Sequence, residues 1–180
     1  MPLRISLKGD APPSIDEKLL QELGRSIMLW AWVEHALVHD MREMLRQSQH
    51  VPSFPRKPIP SLFTPRRKLW LEMCCALYAA IPHYKANAEE INKALETLTE
   101  IRNPLIHGLL EGMKPQPDGS VRLIDMKSVP GKPDQVTLDE YKVDIPTLQG
   151  FCADLEKVHA ALMSMQLNRM LGTHRLLTPS

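Results

Sequence analysis

Cysteine is scarce in this chain, and so is any excess of charge. The three cysteines, Cys74, Cys75 and Cys152, cannot close a disulfide framework. The adjacent pair would point in different directions from a helix, so a reduced, cytoplasmic chain is expected. A net charge of +1 gives no general attraction to nucleic acid or anionic membranes, so any such binding must come from a local patch. No apolar run approaches the roughly 20 residues of a membrane helix. No charged-then-apolar leader opens the sequence, and neither repeats nor low-complexity tracts interrupt it. A soluble protein without a membrane partner is expected. What is present is an ordinary mixture, 43% hydrophobic and 24% charged over 180 residues, enough for a single domain with a real core.

The hydrophobic pattern is mainly helical. A first helix is expected from about Ile15 to Gln47, with Ser14 as N-cap and Asp16 and Glu17 in the first turn, where the helix dipole favours acids. Its apolar stripe reads Leu20, Leu23, Ile27, Trp30, Leu37, Met41 and Met44, with Glu34 as the one polar member. Five prolines between Pro52 and Pro65 exclude regular structure from about Val51 to Thr64. A second helix from about Pro65 to Ala80 would bury Leu69, Met73 and Leu77. Pro82 opens a third, whose stripe of Tyr84, Ala88, Ile91, Leu95 and Leu98 continues to Arg102, Leu105 and Leu109.

After Gly108 the period shortens. Leu109 to Lys114, Ser120 to Lys127 and Val136 to Val143 alternate like strands, separated by the turns Gln116-Pro117-Asp118-Gly119 and Gly131-Lys132-Pro133-Asp134. A last helix from Pro146 would bury Leu148, Phe151, Leu155, Val158, Leu162 and Met165, leaving a loose tail from Asn168. The expected fold is mainly α: a bundle of four to five helices forming one domain over residues 1–180, with a small antiparallel β insertion at about 109–144 before the last helix.

Two polar residues therefore fall on apolar stripes, Glu34 and Arg102. A buried charge is costly unless paired, and these two would satisfy each other across facing helices. In one reading that pair is an internal bridge fixing helix register. In the other, Glu34 orients Arg102 toward a phosphate.

The second reading draws weight from Ile101-Arg102-Asn103-Pro104-Leu105-Ile106-His107-Gly108. A permanent cation and an imidazole that titrates near neutrality suit a phosphodiester, which has charge to stabilise and protons to move. Pro104 removes a helical N–H and crowds the carbonyl of Glu100, so the helix should kink there, or stop and restart with Asn103 as N-cap. In an unbroken helix Arg102 and His107 lie about 140° apart, too far for one shared site. A kink, or a symmetric second copy, would have to complete it.

This octapeptide resembles the signature of the HEPN superfamily, an Arg often followed by a polar residue and then a His four to six residues on. The resemblance extends to the long first helix with Trp-Val-Glu-His-Ala-Leu (Trp32 to Leu37), the shorter second helix, and the position of the motif near the end of the third. It implies an all-α homodimer with both motifs lining one cleft, and in many members a metal-independent endoribonuclease of toxin–antitoxin, phage-defence or RNA-processing systems. By carry-over, Arg102 would stabilise the scissile phosphate, His107 would act as general acid or base for attack by the 2′-hydroxyl, and Asn103 would help position motif or substrate, with no cofactor and no metal. A cognate antitoxin or other protein is then a possible partner. Toxin members controlled by a nucleotidyltransferase often carry Tyr two residues after the His; here that residue is Leu109. The superfamily also contains non-catalytic binding or dimerisation modules.

Arg56, Lys57, Arg66, Arg67 and Lys68 lie in a stretch without an acid between Glu43 and Glu72, and could track an RNA backbone or form a solvated basic loop. His35 and His39, one turn apart with Asp40 adjacent, have metal-ligand spacing but no evident third ligand. The tryptophans Trp30, Trp32 and Trp70 are read as core or interface residues.

Overall fold

A computed structural model describes residues 15–48, 51–111, 113–129 and 132–171. Four helices, α1 (Glu17–Gln47), α2 (Phe63–Leu77), α3 (Pro82–Glu111) and α4 (Ile145–Met170), form a bundle, with a three-stranded antiparallel sheet inserted before α4. Its strands are β1 (Met113–Pro115), β2 (Val121–Val129) and β3 (Lys132–Val143), in the order β1-β2-β3. The expected mainly helical fold with a β insertion is the fold observed.

α1 and α4 pack along each other, α2 bridges α1 to α3, and β2 lies across the end of α3. Every residue expected on the buried face of α4, from Leu148 to Met165, is buried. The helix starts because the Asp144 carboxylate accepts the Thr147 N–H at 2.9 Å and Pro146 needs no donor in the first turn. At the sheet's tip the Gln116–Gly119 turn closes with Gly119 N–H donating to the Gln116 carbonyl at 3.1 Å. Gly119 has φ +80°, a conformation that a side chain would strain.

Four expectations need correction. Ser14 lies outside the described residues, and the cap of α1 is Asp16, whose carboxylate accepts the Lys18 N–H at 2.7 Å. The buried face of α1 carries Leu19, Leu23, Ser26, Trp30, Val33, Leu37 and Asp40, leaving Leu20 and Ile27 exposed. Two adjacent apolar columns run along this helix, and only the position of α4 selects between them. Residues 109–111 belong to α3 rather than to a strand, and Lys132, Pro133 and Asp134 are already in β3 rather than in a turn; Gly131 lies outside the described residues. Finally, α4 continues to Met170 and Arg169 is buried, so the chain is not loose from Asn168.

Pro104 neither stops nor restarts α3, which runs as one helix through it. An internal proline costs a helix about 3 kcal/mol, and here packing on both sides offsets it. Upstream, Leu95 and Leu98 are buried in the bundle; downstream, Leu105 is buried and Gly108 meets β2. A Cβ on Gly108 would stand 2.6 Å from the Leu123 Cβ. Glycine thus permits the crossing that seats the sheet on the end of the motif.

Candidate functional site

Arg102 is half-buried on α3 at the edge of the bundle. Its guanidinium lies over the Trp30 indole, 5.6 Å from the ring centroid, and Nη1 donates to the Asn103 side-chain oxygen at 3.2 Å. Nε is buried with no hydrogen-bond partner, and no carboxylate pairs with this arginine among the described residues. A cation over an indole face is attracted by the ring's quadrupole, a contact that orients the charge without neutralising it. His107 is exposed, five residues on. Because α3 is a single helix, the two side chains leave it about 140° apart.

Glu34 does not form the expected bridge to Arg102. Its Oε1 accepts the Trp30 indole N–H at 2.9 Å, and its Oε2 lies 3.9 Å from Arg66 Nη1. The reason is the phase of α1: Glu34 sits beside the buried face, one turn from Trp30, so the indole comes between the acid and Arg102. Trp30 touches both charged residues and packs on Phe63, with ring centroids 4.6 Å apart. The expectation of a core or interface residue does not include this role between two charges. The four-residue spacing of Trp30 and Glu34 on one helix was the available signal that the N–H had a local acceptor.

The basic stretch separates into structural and exposed members. Arg67 is only 4% exposed in its side chain; Nη1 donates to the Asn92 carbonyl and side-chain oxygens at 3.0 and 2.9 Å, and Nη2 reaches Glu96 at 2.8 Å. It ties α2 to α3 and is unavailable to RNA. Arg66, 12% exposed, donates to the Pro60 carbonyl at 2.9 Å and to the Ser61 carbonyl, holding the proline-rich loop against α2. Neither residue matches the expected alternatives, an RNA-backbone track or a solvated basic loop. Arginine carries five donors in a planar fork, and a loop that leaves several carbonyls without partners draws that fork inward. Arg56, Lys57 and Lys68 are exposed; Lys57 pairs with Glu72 at 3.0 Å and Arg56 reaches the Ser48 carbonyl at 3.5 Å.

The sequence also left a second polar cluster unread, at the other end of the bundle. Asp40 and Arg169, with side chains 0% and 2% exposed, form an ion pair of 2.6 Å between α1 and α4. The Trp70 indole donates to Asp40 at 2.7 Å, and Arg169 Nε donates to the Tyr78 hydroxyl at 2.7 Å. Burial opposes the guanidinium's charge, but the hydrogen bond and charge of Asp40, followed by Tyr78, outweigh it and raise the Arg169 pKa. Nearby, burial pushes the Cys74 thiol well above its usual range, and the Asp40 charge adds to the shift.

His35 and His39 line a groove of about 310 Å³ with Trp32, His159, Met163 and Gln166. Among the described residues no three His, Cys, Asp or Glu side chains are placed to hold a metal ion, and no helix is long and apolar enough to cross a membrane. No family model, no curated protein and no solved structure matches this chain.

Proposed function

We propose that this chain is a metal-independent endoribonuclease acting as a homodimer, with Arg102 and His107 from two copies sharing a cleft. The observation that supports this most is the state of Arg102. It is a half-buried guanidinium held by Asn103 and the Trp30 face, with one buried N–H lacking an acceptor and no carboxylate to neutralise it among the described residues. Such a group is preorganised for an anion and still has charge to offer.

In the proposed reaction an imidazole accepts the proton of a ribose 2′-hydroxyl as that oxygen attacks the adjacent phosphorus. Charge building on the non-bridging oxygens falls to Arg102. The bond to the 5′-oxygen breaks, and a second imidazole protonates the leaving group, giving a 2′,3′-cyclic phosphate and a free 5′-hydroxyl. Imidazole suits both steps because its pKa lies near working pH. One helix directs Arg102 and His107 to different sides, so a second copy is the simplest source of the complementary group. Asn103 acts here as a positioning residue for Arg102. Arg56, Lys57 and Lys68 would supply phosphate contacts along the strand. We assign the activity to the cytoplasm, as a toxin or defence effector that a partner protein restrains.

Incubation of the purified protein with mixed RNA in a chelator tests the reading. Wild type should cleave, and His107→Ala should lose at least a hundredfold of the rate. Equal cleavage by both, or none under any condition, would remove the catalytic assignment. Light scattering at micromolar concentration should give a dimer; a strict monomer would count against the shared cleft. A non-catalytic helical dimer that binds a nucleotide or protein is the competing reading. The internal use of Arg66 and Arg67, which shortens the basic track, favours it.

A further inference from the structure

Arg102 has few anchors for so long a side chain. Among the described residues its Nε finds no partner and Nη1 donates to the adjacent Asn103, so the Trp30 face, 5.6 Å from the guanidinium, is its one contact with another helix. A side chain with many rotamers keeps one place only if its head is held. Trp30 is itself buried and fixed at two points. Its ring packs on Phe63 at the start of α2, with centroids 4.6 Å apart, and its N–H donates to Glu34 Oε1 at 2.9 Å. An indole turns about its last side-chain bond with a broad preference, so the directional bond to Glu34 selects the ring's orientation. The other Glu34 oxygen lies 3.9 Å from Arg66 Nη1, and Arg66 is tied to the carbonyls of Pro60 and Ser61. A line of contacts thus runs from the proline-rich loop through Arg66, Glu34 and Trp30 to Arg102.

We propose that Glu34 and Trp30 are positioning residues for Arg102, an inference that rests on the reading of Arg102 as the group that stabilises a phosphate. Glu34 fixes the indole, and the indole fixes the guanidinium. The acid acts through the ring and not by contact. A carboxylate set directly on the arginine would hold it as firmly but cancel its charge, as Asp40 does for Arg169. A neutral ring between them holds the position and leaves the charge for the substrate, which preorganised stabilisation of a transition state requires.

Nitrogen-15 NMR of the full chain tests this without RNA. The side-chain Nε–H signal of Arg102, identified by its loss in Arg102→Lys, should be as ordered in wild type as the helix backbone. Glu34→Ala should disorder it, seen as a collapse of its heteronuclear NOE. Trp30→Phe keeps a ring but has no N–H for Glu34, and should do the same. Glu34→Gln still offers an oxygen to the indole N–H and should keep the order. An Arg102 signal already disordered in wild type, or still ordered in Glu34→Ala or Trp30→Phe, overturns the proposal. So does equal disorder in Glu34→Gln and Glu34→Ala. Urea titration of each variant separates loss of order from loss of fold. In RNA cleavage, Glu34→Ala should lower kcat by about ten- to a hundredfold with KM nearly unchanged, and Glu34→Gln should recover most of it; an effect on KM alone overturns the positioning role. A wild type that cuts no RNA yet gives these NMR responses supports the positioning and removes the ribonuclease reading, so the two failures are distinct.

Discussion

Two places in this bundle use the same three side-chain types and reach opposite outcomes. At one end Trp70, Asp40 and Arg169 form a paired set in which the acid holds the guanidinium directly and an indole and a tyrosine hydroxyl add contacts, with Arg169 Nη2 buried and without a partner among the described residues. At the other, Trp30 comes between Glu34 and Arg102, so the acid holds the indole and the indole's face holds the arginine. The paired set has its charge cancelled in the interior. The open set keeps a positive charge at the edge of the bundle. A tryptophan, an acid and an arginine thus make a structural bolt or a candidate anion site according to which of them stands in the middle.

Asp40→Ala should have the largest effect on folding. It leaves Arg169 charged and unpaired in the interior, and urea titration should show a loss of about 3–5 kcal/mol. A loss below about 1 kcal/mol would mean that water enters the cluster. Gly108→Ala comes next. Its Cβ would meet the Leu123 Cβ at 2.6 Å, and shifting β2 to accept it should cost about 1–3 kcal/mol. Thermal melting would register this, and a neutral outcome would mean that the sheet rides freely on α3. Alkaline pH should weaken the paired end as well. The Cys74 pKa is raised by burial, so above the unfolded value near 9 the native state holds more protons than the unfolded state. Stability then falls as pH rises, by about 1.4 kcal/mol per pH unit for that proton. Urea titrations between pH 8 and 10 should show a shallower slope in Cys74→Ala. The smallest effect on folding is expected at the open end: Arg102→Ala should change stability by less than about 1 kcal/mol, because no ion pair is broken. A loss as large as that of Asp40→Ala would make Arg102 a second bolt.

Much of the fold was readable from the pattern. The strict spacing of Leu148, Phe151, Leu155, Val158, Leu162 and Met165 leaves only one face for α4 to bury, and Pro82 and Pro146 mark where helices begin. The phase of α1 was not readable, because Leu19 and Leu20 are equally apolar and the buried position beside Ile27 is taken by Ser26, whose hydroxyl donates to the Leu23 carbonyl. That ambiguity carried into the site: read on the wrong column, Glu34 looked like the buried acid and Asp40 like a surface neighbour of two histidines. Arg67 was misread for a related reason. Sequence reports that a cation is present, whereas its availability depends on whether Asn92 and Glu96, more than twenty residues on, stand within reach.

The sequence alone determined the periods, the breaks and the inventory: four apolar stripes, a proline that deprives the Glu100 carbonyl of its donor, a glycine after His107, and an arginine and imidazole about 140° apart on any continuous helix. These follow from local backbone geometry, which the chain carries with it. Tertiary structure decided the pairing. Which acid meets which arginine depends on side chains brought together from distant parts of the chain, and a rotation of α1 by one residue exchanges Asp40 for Glu34. Charges interact through space at distances that sequence separation does not encode, so packing alone assigned Arg169 to the paired cluster and left Arg102 open.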